Sequence, residues 1–167
     1  RSLKNQPEPT RQHNNVSSHR RNTMGLKEQQ EKIVANMKNW QKIEDASVAS
    51  VTEVIEKTDN AVIRMVMEII KRDSEMHHRI QQMVIDCLEN QTVELSSDDL
   101  VKVWDLIEKH IAIEERAADL AKHSLEATEG TKGMLVPRYL LTYLMTDEAK
   151  HDKLLEDLEL FKKGMYT

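Results

Sequence analysis

The chain is poor in the residues that sheet proteins and secreted scaffolds depend on. Four glycines, three prolines and an aromatic content of 4% in 167 residues leave few of the turn formers and ring side chains that strands require. Long helices are therefore expected. A single cysteine, Cys87, excludes an intramolecular disulfide framework and any metal site built from a cysteine pair within the chain. A reducing, cytoplasmic compartment is the expected home. No apolar run reaches the roughly 18 residues that a bilayer-crossing helix needs, and the first residues are polar, so neither membrane anchor nor secretory leader is expected. A Gly-rich phosphate loop, a Ser-His-Asp set and a methionine cluster with copper-site spacing are all missing.

Charge and periodicity are what the chain does have. Residues 1–23 carry Arg1, Lys4, Arg11, Arg20 and Arg21 against Glu8 alone, a net of +4 that leaves −9 for the remainder of a chain whose total is −5. With Pro7, Pro9 and almost no apolar periodicity, this segment reads as a disordered basic arm, and residues 24–167 as one folded domain. No aromatic side chain is interleaved with those charges, so nucleic acid is not an expected partner.

From Leu26 onward four helical stretches follow one another. Leu26, Ile33, Met37, Trp40, Ser47, Val51 and Val54 recur at steps of three, four and seven, the mark of a helix with one buried stripe. Thr58 and Asp59 are placed to start a second helix that carries Ile63, Val66, Ile70, Ile80 and Val84 to about Asn90. Ser96 and the acids after it begin a third, through Trp104, Ile107, Ile111 and Leu125 to about Gly130. Gly133 and Pro137 mark the entry to the last, with Leu141, Leu144, Leu155 and Leu158 on its apolar face. Short joints make the first and second pairs antiparallel hairpins, with the connection between the pairs the longer one. The expected fold is all-α, an antiparallel four-helix bundle.

Polar residues that fall on these apolar stripes are the informative ones. His77 is nearly in step with Ile70, whereas Glu75 is turned away by about 140° and His78 by about 80° at helical periodicity. Glu75-x-x-His78 therefore reads as a decoy. Glu44 is in step with Trp40 and Val51, Glu114 with Ile107 and Ile111, and both Glu148 and His151 with Leu144 and Leu155. The segment 62–80 aligns without gaps on 136–154, matching Arg64 to Arg138, Asp73 to Asp147 and His77 to His151, and "KIEDAS" aligns with "AIEERA", matching Glu44 to Glu114 and Trp40 to His110. The two hairpins read as copies of one unit, with all these polar groups in one layer halfway along the bundle. Arg64 and Arg138 are candidates to pair with carboxylates near the bundle end.

In this pattern the chain resembles the ferritin-like di-iron carboxylate family, nearest to its rubrerythrin and bacterioferritin branch. That family places Glu on one helix and Glu-x-x-His on the next, then repeats the pair. Glu44, Glu114 and Glu148-x-x-His151 match; the second helix departs, reading Ser74-x-x-His77. No cysteine-rich rubredoxin module is present. The resemblance implies a di-metal centre, two iron ions in the first place and manganese or zinc otherwise, and a di-iron oxidoreductase of ferroxidase or peroxide-scavenging type. Its partners would be metal ions and dioxygen or peroxide, and a homo-oligomer is expected. The expected ligands are Glu44, His77, His110, Glu114, Glu148 and His151, with His110, one turn before Glu114, compensating for the carboxylate missing at Ser74.

Elementary electrostatics argues the same way. Three carboxylates in one buried layer repel one another unless protonated, paired or bound to cations. The alternative is a neutral Glu and His network that only sets helix register in a non-catalytic binding or assembly module.

Overall fold

The computed structural model describes residues 25–90 and 93–165, so the expected basic arm lies outside the described residues. All regular structure among them is helical: α1 Leu26–Lys57, α2 Ala61–Glu89, α3 Ser97–Glu126 and α4 Leu135–Lys162. None of these helices is long and apolar enough to cross a membrane.

The helix boundaries follow from local chemistry. The side chain of Asn60 accepts hydrogen bonds from the backbone N–H groups of Val62 and Ile63 at 3.0 and 3.1 Å. The cap of α2 is thus Asn60 rather than Thr58 or Asp59, because one carbonyl oxygen there serves two of the orphan donors. Ser96 caps α3 as expected, accepting from the N–H of Asp99 at 3.2 Å. Gly130 and Gly133, at φ +67° and +81°, turn the chain between α3 and α4 in a region that side chains with a Cβ resist. Pro137 falls in the first turn of α4, where a missing N–H costs nothing. Arg64 donates to the carbonyls of Ile55 and Thr58 at 2.9 and 3.3 Å, closing the α1–α2 turn instead of pairing with a carboxylate.

The helices pair as two hairpins, α1 with α2 and α3 with α4. Bonds between α1 and α2 join Lys38 to Glu89, Ser47 to Ser74, and Ile55 to Arg64, so one index rises as the other falls and the helices run in opposite directions. Between α3 and α4, Trp104 meets Lys162 and Glu114 meets His151 in the same sense. The α1–α2 interface buries Val34, Val51 and Ile85, but also Glu44, Ser74 and Gln81; that of α3–α4 buries Leu100, Trp104 and Ala121. The Trp104 indole N–H donates to Glu108 at 2.8 Å.

A second apolar stripe on each hairpin stays uncovered. Ile63, Ile70 and Ile80 on α2 are exposed, as are Val103, Leu106, Ile113 and Leu120 on α3, and the expected core residue Trp40 is 48% exposed. The physical reason is width: an apolar stripe of about 100° is more than one neighbouring helix covers. The hairpins meet along α2 and α4, where Val66, Ile69, Ile70 and Asp73 face Tyr139, Leu140 and Tyr143 around a cavity of about 250 Å³. Only residues 90–96 join α2 to α3, a span of at most about 28 Å when extended. The 29 residues of α2 make a helix about 43 Å long, so α3 begins near the end of α2 and a return along the full helix is out of reach.

Candidate metal centre

Glu114 on α3 and Glu148 and His151 on α4 place one donor atom each within 4.8 Å of one another. The spacing of three between Glu148 and His151 sets both on one face of α4, and the antiparallel pairing brings Glu114 opposite them. His151 Nδ1 lies 3.3 Å from Glu114 Oε2 and 3.7 Å from Glu148 Oε2. His110 Nε2, one turn back on α3, lies 2.9 Å from Glu114 Oε1. The two carboxylates are largely buried, at 13% and 19% side-chain exposure, while His110 stands at the rim, 56% exposed. His110, Glu114, His151, Leu154 and Leu155 line a hollow of about 220 Å³.

The electrostatics of the pair is asymmetric. A hydrogen bond from Glu148 holds the Glu114 carboxyl below its ordinary range against the cost of burial, with His151 and His110 helping. Burial, and then the hydrogen bond and charge of Glu114, push Glu148 up. Two carboxylates this close share a proton more readily than they both ionise. Even so, Oε2 of Glu148 is buried with no hydrogen-bond partner. Beside them, Asp147 is held low, first by its hydrogen bond to Lys150, and Tyr143 is pushed up by burial and by the charges of Asp147 and Asp73.

This donor set fits a divalent cation. Metal bonds of about 2.1 Å in a tetrahedral set put neighbouring donors about 3.4 Å apart, close to the separations found around His151. Two carboxylates and one or two imidazoles suit iron, manganese or zinc and leave positions for water or substrate.

The other hairpin holds a related group. Glu44 is buried at 8% side-chain exposure, and its Oε1 lies 3.4 Å from Nδ1 of the half-exposed His77 and 3.5 Å from Gln81 Nε2. Ser74, where the repeat has Glu148, has its hydroxyl hydrogen-bonded to that of Ser47 at 3.0 Å. His78 lies 3.6 Å from Asp45, in a hollow lined also by Glu44, Ser74, Glu75 and Arg79. The six expected ligands therefore form two groups rather than one three-donor set spanning both hairpins: Glu44 with His77, and His110 with Glu114, Glu148 and His151. His110 contacts Glu114 of its own helix. Sequence reasoning missed Gln81, a neutral side chain one turn beyond His77 on the face turned to α1; its position in the repeat, aligned with Leu155, was the available signal.

No family model, curated protein or solved structure matches the chain.

Proposed function

We propose that Glu114, Glu148 and His151, with His110 at the rim, hold a divalent transition-metal ion in hairpin α3–α4, and that the chain is a cytoplasmic, ferritin-like metal protein. The observation that carries this reading is the buried Oε2 of Glu148, which makes no hydrogen bond and has only His151 Nδ1 at 3.7 Å beside a second carboxylate, an arrangement that costs free energy in the absence of a cation. Iron bound there would supply the one-electron chemistry of iron oxidation by dioxygen or peroxide, as the resemblance implies; manganese or zinc also suits the donors. The residues do the rest. Glu114 and Glu148 would give up their shared proton to balance the ion's charge, His151 would supply Nδ1 as the nitrogen donor, and the exposed His110 would take or return a proton at the mouth of the hollow.

The proposed architecture is a four-helix bundle of the two repeated hairpins, closed over the uncovered stripes, and a homo-oligomer. Ferritin-like folds carry one long crossover, and the seven residues between α2 and α3 are too few for it within one chain. The kinship proposed here accordingly rests on the ligand pattern. A second reading, a non-catalytic assembly module, draws its support from exposed Leu106, Leu120 and Leu154. Bound iron, manganese and zinc measured in protein purified without chelators separate the two: the metal reading requires stoichiometric metal that Glu148→Ala loses and Glu75→Ala keeps. Metal-free protein that takes up none on addition would sink it.

A further inference from the structure

The group in α1–α2 has a feature the repeat does not foretell. Glu44 is buried and its Oε1 is approached by two side chains at long range, His77 at 3.4 Å and Gln81 at 3.5 Å. Neither distance is that of a good hydrogen bond, which lies near 2.9 Å. Both match the spacing of about 3.4 Å between neighbouring donors on one tetrahedral cation. Gln81 is 3% exposed, and its Oε1 is buried without a partner. Rotating the amide exchanges its two ends and puts the carbonyl oxygen where Nε2 now lies, facing Glu44. Without a cation that rotation sets two oxygens against each other; with one, it completes a set of carboxylate, imidazole and amide oxygen.

We infer that hairpin α1–α2 binds a divalent transition-metal ion of its own through Glu44, His77 and Gln81, with Gln81 taking the place of the carboxylate that Ser74 lacks. Asp45 and His78 share a hollow with Glu44 but are set against each other, 3.6 Å apart, and are not part of the set. In α3–α4 the carboxylate donor precedes the histidine by three residues, Glu148 before His151; in α1–α2 the third donor follows it by four, Gln81 after His77. Both spacings keep the pair on one helical face, and in both the partner helix supplies the glutamate. The sets differ in charge. One carboxylate against two makes α1–α2 the weaker site, because affinity in oxygen-rich sites follows ligand charge, and the half-exposed His77 leaves the ion open to water. The inference goes beyond the α3–α4 reading and shares with it only the donor-spacing argument.

Calorimetric titration of the metal-free full chain with Zn²⁺ tests it. Two binding events per chain are expected, the second weaker by at least tenfold. Gln81→Leu, which installs the side chain the repeat carries at Leu155, should remove the weak event and keep the tight one, with helical content unchanged by circular dichroism. Gln81→Glu decides between ligation and mere support of Glu44. A ligating carboxylate tightens the weak event about tenfold by added charge, whereas a residue that only donates to Glu44 would, as glutamate, repel it and weaken that event. A single event in the wild type, or a weak event that neither Gln81 variant shifts or that Gln81→Glu weakens, overturns the inference and leaves the α3–α4 reading standing. Absence of any binding overturns both.

Discussion

The two hairpins share one plan and apply it with different stakes. In α1–α2 the buried glutamate meets Gln81 and His77, and three of the six buried residues of the interface are polar or charged. In α3–α4 the buried residues are Leu100, Trp104 and Ala121, and of the two largely buried carboxylates Glu114 borders an open hollow. Two hairpins can thus divide the work. One draws its packing from apolar groups on either side of its charged centre; the other places its polar layer in the packing itself. The α1–α2 layer sets one carboxylate against His77 and neutral Gln81 at long range, whereas the α3–α4 layer sets two carboxylates against each other and against His110 and His151.

Four measurements would sharpen or break this contrast. The largest effect is expected at the tryptophans. Trp104 is 5% exposed and Trp40 is 48% exposed, so Trp104→Ala should cost about 3–5 kcal/mol and Trp40→Ala under about 1 kcal/mol in denaturant unfolding of metal-free protein. Equal losses would show that α1–α2 packs as α3–α4 does. Next, Glu148→Ala should weaken metal binding at α3–α4 by at least about 100-fold, while Glu44→Ala leaves the tight event in place. If Glu44→Ala abolishes it, the two groups form one centre. His110→Ala should lower the affinity of that event by about tenfold or less, since its ring is half exposed and the other donors remain; an unchanged affinity would assign His110 to proton transfer alone.

The smallest effect is on metal-free stability and has a defined sign. Glu148 is pushed up in the folded state, so the stability it contributes is present at low pH and is lost as pH rises through its folded value. Glu114 is held low, so its contribution is present above its unfolded value and is lost as pH falls through the folded one. At neutral pH Glu148→Gln removes the ionisation cost and keeps a donor to Glu114, and a stabilisation of about 1 kcal/mol is expected, alongside loss of metal binding. Wild-type metal affinity should fall as pH drops, because the proton competes for Glu148. A Glu148→Gln chain destabilised at pH 7 would mean that the pair is held by something other than a shared proton.

Periodicity and the internal repeat were enough to determine helix number, helix type and approximate ends, because stripes of apolar residues and capping side chains act within a few turns. They also placed Glu44, Glu114 and Glu148 on inward-facing stripes, since the helical period converts index into angle, but His77, expected to face inward, is 53% exposed, more than His78 at 39%. Angle is not distance. Only the tertiary structure decided that Glu44 meets His77 while Glu114 meets Glu148 and His151, that His110 contacts Glu114, and that neutral Gln81 lies against Glu44. It alone showed the stripes wider than a single hairpin covers, leaving Trp40, Ile80 and Leu106 open. Side-chain partnership depends on which faces meet across helices far apart in sequence, and no local pattern of charge or hydropathy carries that information.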